Sequence, residues 1–315
     1  MASHCEGYCA LPGISPSLPN YIWLEAGTNF GIFDDNDPTI DHLPYTNHLV
    51  TQLRAAGISW KSYQEHISGT NVPLVTEKGY SARHHPFVYF DDVTGTNDPN
   101  YAYGIAHIRP YPELATDLAN NTVARYNFIT PDDCHDMHTD CYPVYNGVRQ
   151  GDNWLAAEVP KILASQAYQN GGALFITWDE SFGPDEHLGM IVLSPFARGH
   201  GYSNNIYYTH SSTLRTFQTI FGVSPWLGDA ANATDLRDLF ILPWLWLGGV
   251  KPVPGGIQIS ATGVTPGKTN WLLASSNLQF WTTICTNVPT TNWFTVVDTA
   301  AANLDHRYYR LVQLP

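Results

Sequence analysis

Apolar side chains recur in two rhythms along this chain. From residue 13 to residue 240, stretches with apolar positions three and four apart alternate with short continuous apolar runs, the pattern of helices laid between strands. Residues 21–27 give a short helix stopped by Gly27, with Pro19 in its first turn, where a missing N–H is harmless. Leu49 and Leu53 set a second helix over 47–56, Gly57 ends it, and 58–63 reads as a strand. Residues 126–130 and 190–194 are further short strands. Leu155, Val159, Ile162, Leu163 and Ala167 carry a helix over 154–168, closed by Asn170-Gly171. A last long helix passes through Leu214, Phe217 and Phe221 to Gly222, capped by Ser211 or Ser212, and 229–240 adds one more helical segment. Between these helices lies Gly171-Gly172-Ala173-Leu174-Phe175-Ile176-Thr177-Trp178-Asp179-Glu180. Its apolar run is too short for a helix and is bounded by turn residues, so it reads as a strand buried on both faces.

The rhythm changes at 242–256, a stretch rich in Pro, Gly and Trp that reads as a linker. Beyond it, runs at 257–261, 271–274, 280–285, 293–297 and 308–312 are separated by turn residues at regular spacing, which predicts a small β-sandwich. The organisation expected is therefore a large α/β domain over 1–243, a linker over 244–256 and an all-β accessory domain over 257–315.

Composition narrows the class. The chain has 315 residues, 43% hydrophobic and 13% aromatic, enough to bury a substantial core. A formal charge of -13 repels nucleic acid and anionic membrane, so a phosphate-bearing substrate needs a local cationic site. No run is long and apolar enough to span a bilayer, and no apolar segment of a secretory signal follows Met1. Of the cysteines at 5, 9, 134, 141 and 285, Cys134 and Cys141 bracket a short loop that a disulfide can close, and no pair has zinc-site spacing.

Candidate chemistry sits at the ends of the strands, where the loops of an open α/β sheet form a crevice. Asp179 and Glu180 follow one strand, and adjacent carboxylates there repel unless a hard cation or a proton lies between them. Ser17 falls at a helix start. It either caps that helix or, with free N–H groups and the positive dipole end beneath it, attacks phosphorus and holds a phosphoryl anion. Arg83-His84-His85-Pro86-Phe87 precedes another short run. The loop 131–141 gathers two His, four Asp and two cysteines, more chemistry than a solvated turn needs. His210, before a cap, reads as structural.

Taken together, Pro16-Ser17-Leu18-Pro19-Asn20-Tyr21, His84-His85-Pro86-Phe87, Asp136-Met137-His138, Thr177-Trp178-Asp179-Glu180 and the Tyr208-Thr209-His210-Ser211-Ser212-Thr213-Leu214-Arg215-Thr216 stretch resemble, in that order, the phosphoesterase family of bacterial acid phosphatases and phospholipases C, within the alkaline phosphatase-like superfamily. The resemblance covers about residues 13–240. It implies an alkaline phosphatase-like sheet sandwiched between helices and hydrolysis of phosphoric esters, small-molecule or lipid, through a divalent metal. Ser17 looks like the nucleophile and a metal ligand, Asp179 and Glu180 like the other ligands. His84, His85 and His138 look like groups that hold phosphoryl oxygens or protonate the leaving group, with protonated imidazoles favouring mildly acidic conditions. It also implies a secreted or periplasmic location.

One departure is expected to matter. Family members begin with a strand ending in Glu-Asn that resembles half of the metal site, and no such strand precedes Ser17. This chain therefore reads as an N-terminal truncation, with metal affinity and turnover impaired and a core strand of the sheet lost. The alternative reading is a catalytically impaired binding protein that attaches to a glycan or cell surface through aromatic residues of the β-sandwich.

Overall fold

The computed structural model describes residues 1–181, 186–241, 245–291 and 293–314. It divides into two compact units, Met1–Phe240 and Ile241–Pro315. The first is mixed α/β, and its strands form two sheets rather than one.

In the smaller sheet, β2 (Trp60–Gln64) lies between β3 (Ile108–Pro110) and β4 (Tyr126–Thr130), and all three run parallel. Gln64 stands opposite Thr130, so both strands deliver their chains to the same end of the sheet. The larger sheet has the order β5 (Leu174–Thr177), β6 (Met190–Leu193), β1 (Ala2–Cys5), β7 (Tyr202–Asn204). The N-terminal segment, which shows no strand pattern in the sequence, supplies β1, antiparallel to β6 and parallel to β7. The apolar run before Asp179 is β5, but it is a half-buried edge strand paired antiparallel to β6 alone. The expectation of burial on both faces fails there because four apolar residues set a strand without fixing how many neighbours it has.

Helices cover the sheets for legible reasons. Helix α1 (Ser17–Ala26) buries Leu18, Ile22 and Ala26 on one side. Gly27 ends it in the left-handed conformation, φ 71°, with its N–H on Trp23 O at 2.7 Å, and a Cβ there would lie 2.4 Å from Leu227 O. Helix α2 (Leu49–Ala55) buries Leu49 and Leu53 in the same core as Trp60, Phe87 and Phe90. Helix α3 (Pro112–Ala119) follows β3. Helix α4 (Gly147–Leu163) starts earlier than its apolar pattern because Asn146 Oδ1 accepts the Arg149 N–H at 2.8 Å. Helix α5 (His210–Phe221) spans both sheets: the Phe217 ring lies 5.5 Å from Tyr126 of β4 and 5.1 Å from Phe175 of β5. β4 and β5 are each the outer strand of their sheet among the described residues.

The second unit is all β, with separate antiparallel sheets. β8 (Trp246–Val253), β9 (Gly256–Thr262) and β12 (Trp293–Asp298) form one; β10 (Asn270–Ser275), β11 (Thr282–Asn287) and β13 (Tyr308–Gln313) form the other. Leu311 of β13 packs against the Ala261, Val264 and Phe294 cluster. The stretch read as a linker, 244–256, contains β8, while Leu242–Trp244 lie outside the described residues.

Candidate active site

Ser17 is the first residue of α1 and is buried, and its hydroxyl does not cap the helix. Pro16 occupies the capping position, and Asn20 holds the incoming chain through Ile14 O at 3.1 Å and Pro16 O at 3.0 Å. The Ser17 hydroxyl instead donates to Glu180 Oε1 at 3.4 Å, a long contact bridging 163 residues of sequence. Burial first, then the neighbouring charges of Asp179 and Asp35, push the Glu180 carboxyl up from its ordinary value. Among the described residues Asp179 Oδ2 is buried without a hydrogen-bond partner.

Asp35 completes this acidic side. Its Oδ1 accepts the Leu18 N–H at 2.9 Å, one of the free donors at the start of α1, and its Oδ2 lies 3.9 Å from Arg83 Nε. Sequence reasoning passed over Asp35 because it sits in an acid-rich loop, 34–37, of the kind that usually faces water.

The imidazole side comes from two loops. His84 is buried at the end of a helical turn, with Nδ1 3.2 Å from Asp136 Oδ2 and 3.7 Å from Asp133 Oδ1. His138 is exposed, its ring 5.8 Å from that of His84, with its N–H on Asp136 Oδ1. Their loop is fixed at its base by the Cys134–Cys141 disulfide. Tyr21 lies between the two sides, 5.4 Å from the His84 ring; burial and the charges of Asp179, Asp136 and Asp133 raise its phenol well above the ordinary value.

His85 is placed elsewhere. It is fully buried, with Nε2 3.0 Å from Ser62 Oγ of β2 and Nδ1 2.9 Å from Tyr80 Oη, and burial pushes its pKa down to about 3. Both ring nitrogens are committed to core hydroxyls, so the residue expected to hold phosphoryl oxygens is a neutral core group. The adjacent His84 faces the opposite way, a difference that a His-His pair in sequence does not reveal.

His210 has a definite task behind the acidic side. Its Nε2 donates to the Asp179 carbonyl at 2.6 Å and its Nδ1 lies 2.9 Å from Tyr8 Oη, which is bonded in turn to Thr213. Burial lowers its pKa, so the ring stays neutral and fixed in one tautomer.

The geometry thus joins a serine at a helix N-terminus to five carboxylates, two imidazoles and one guanidinium. Such a surplus of negative charge cannot receive an anionic substrate unless a cation joins it, and the orphaned Asp179 oxygen has the chemistry of an unfilled ligand position. These features define an α/β protein with an acidic cleft gathered around a serine at a helix N-terminus. The phosphoesterase family profile matches residues 5–224, and the chain belongs to that family. It is 28% identical over 229 residues to a phosphatidylinositol-3-phosphatase of Mycobacterium tuberculosis, covering 71% of this chain and 68% of that protein. It is 25% identical to an acid phosphatase of Aspergillus fumigatus, over 68% of this chain and 47% of the relative. Identity to phospholipase C B of Mycobacterium tuberculosis is 24%, over 74% of this chain and 50% of the relative. The chain therefore spans about half the length of the last two.

Proposed function

We propose that this protein hydrolyses phosphoric esters through Ser17, with a divalent cation held by Asp179, Glu180 and Ser17. The observation that carries the reading is the Ser17 hydroxyl at the start of α1, within 3.4 Å of Glu180, whose neighbour in sequence, Asp179, has a buried oxygen with no partner among the described residues. When bound, the cation supplies positive charge for phosphoryl oxygens and for the serine oxygen. Ser17 Oγ attacks phosphorus in line with the ester oxygen, the Oγ–P bond forms and the P–O bond to the alcohol breaks. Water then hydrolyses the phosphoserine and restores the hydroxyl. His84, held by Asp136, and the exposed His138 face the same space and serve the phosphoryl oxygens and the departing alcohol; Arg83 adds a fixed charge. Backbone N–H groups at the head of α1 favour an anion there.

An alkaline phosphatase-like arrangement of the first unit, a secreted or periplasmic setting and an accessory role for the second unit belong to the same proposal. The Cys134–Cys141 disulfide supports the setting. Among the described residues no helix is long and apolar enough to cross a membrane, which accords with a small-molecule or lipid headgroup substrate met from water. The test compares wild type with Ser17→Ala on a chromogenic phosphomonoester and a choline phosphodiester, with divalent metals and after chelation. Wild type is expected to turn over at least one ester only with metal present, and Ser17→Ala to lose that activity. Equal rates in the two proteins would remove Ser17 as nucleophile.

A second reading rests on the aromatic surface of the second unit, where Phe280 is 77% and Trp293 53% exposed. Flat exposed rings stack on sugar faces. Retention on insoluble glycan without any phosphate release would favour this reading over the first.

A further inference from the structure

The loop after β4 has two sides. Asp133, Asp136 and His138 face the site around Ser17, whereas Asp132 and His135 turn away from it toward the loop after β2. Because Gln64 and Thr130 are paired in adjacent parallel strands, Glu65, one residue on, and Asp132, two residues on, emerge side by side. There His135 Nδ1 lies 2.8 Å from Glu65 Oε2 and 3.2 Å from Asp132 Oδ1, and His66 Nε2 lies 2.8 Å from Asp132 Oδ2. One imidazole and two carboxylates from separate strand ends thus converge, and a second imidazole, His66, bonds the far oxygen of Asp132.

These carboxylates are oriented by donors outside the group. Glu65 accepts the Asp132 N–H at 2.8 Å and the Trp154 indole N–H at 3.2 Å; Asp132 accepts the backbone N–H groups of Cys134 at 3.0 Å and His135 at 2.9 Å. Outer-shell donors of this kind fix the direction of metal-ligating carboxylates. Ligand atoms at tetrahedral angles around one zinc, with bonds of about 2.0–2.1 Å, sit about 3.3 Å apart, and the candidate ligand atoms of Glu65, Asp132 and His135 all lie within 4.8 Å of one another. A cavity of about 420 Å³, lined by Asp132, His135, Tyr142 and Trp154 among others, opens onto the cluster and gives an ion a way in. His66 adopts φ 60°, a left-handed conformation uncommon for a residue with a side chain.

We infer that Glu65, Asp132 and His135 form a second divalent-cation site, of zinc-like N/O character, separate from the site at Ser17, with His66 bonded to the far oxygen of Asp132. Binding there ties the end of β2 to the disulfide-closed loop that carries His138. Imidazole with carboxylate suits zinc better than calcium or magnesium. The inference does not rest on the hydrolase reading and stands or falls on metal uptake alone.

The test is equilibrium dialysis of full-length wild type, His135→Asn, Glu65→Gln and Asp179→Asn against Zn²⁺, with Co²⁺ absorption as a second readout and circular dichroism to verify folding. His135 is substantially exposed, so His135→Asn leaves the core untouched. Wild type and Asp179→Asn are expected to show the same Co²⁺ visible absorption of a tetrahedral N/O site. His135→Asn and Glu65→Gln should each weaken that binding by at least about tenfold. Unchanged Zn²⁺ uptake in folded His135→Asn, or loss of the Co²⁺ band only in Asp179→Asn, would overturn the inference and leave the cluster as a set of imidazole–carboxylate hydrogen bonds. Should Glu65→Gln fail to fold, Asp132→Asn takes its place with the same expected loss.

Discussion

His85→Gln isolates what burial does to an imidazole in this core. In the unfolded chain the ring takes up a proton near its ordinary value of 6.5, whereas burial in the native protein pushes it down to about 3. Between those limits the unfolded state binds a proton that the folded state refuses. Stability from this group is therefore complete above 6.5 and falls as pH drops, by about 1.4 kcal/mol per pH unit. Two units down, near pH 4.5, the loss is about 2.7 kcal/mol. Glutamine can keep hydrogen bonds to Ser62 and Tyr80 without a titrating group, so its own cost is nearly the same at both pH values. Urea unfolding followed by far-ultraviolet circular dichroism at pH 7 and pH 4.5 gives the four stabilities required. Wild type should lose about 2.7 kcal/mol more than His85→Gln over that interval. Taking the difference between proteins cancels every other titration, including the buried Glu25–His48–Asp92 network, in which burial raises Glu25 while its two carboxylate partners raise His48. Equal losses in the two proteins would refute the reasoning. His85 would then accept a proton in the folded state and return as a candidate acid at the active site.

His210→Phe keeps an aromatic ring but deletes the bond to the Asp179 carbonyl; turnover of a phosphomonoester should fall about 10- to 100-fold with circular dichroism unchanged, and the loss should ease as metal is raised. Gly27→Ala forces a side chain into φ 71° and against Leu227 O, so the urea midpoint should fall by the equivalent of at least about 1 kcal/mol. Phe217→Ala removes the ring that touches both sheets and should cost about 2–4 kcal/mol in the same measurement.

Much of the scaffold is written in local pattern. Gly27 and Gly222 stop their helices where the apolar spacing ends, and Tyr126–Thr130 is a strand with the bounds its five residues suggest. The candidate site was legible at Ser17, His84, His138, Asp179 and Glu180, because residue type and position at an element's end carry chemistry that periodicity does not blur. What escaped reading depends on long-range geometry. Ala2–Cys5 shows no alternation and becomes a strand only because β6 and β7 flank it. Asp35 joins the site through a backbone N–H of α1, a contact that no spacing announces. His84 and His85 are neighbours with opposite fates because one peptide step turns the side chain from the cleft to the core. Glu65 and Asp132 meet only through the pairing of β2 with β4, 67 residues apart in sequence.

The outer strands β4 and β5 have a further consequence. Each shows a row of amides and carbonyls to no other described strand, and together they flank Phe217 like the two lips of a seam. Unanswered rows of this kind are adhesive: they recruit any extended chain that arrives, including one from another molecule. Concentrated solutions of this protein should consequently self-associate by cross-molecule strand pairing, and short extended peptides added in excess should suppress that association by occupying the seam first.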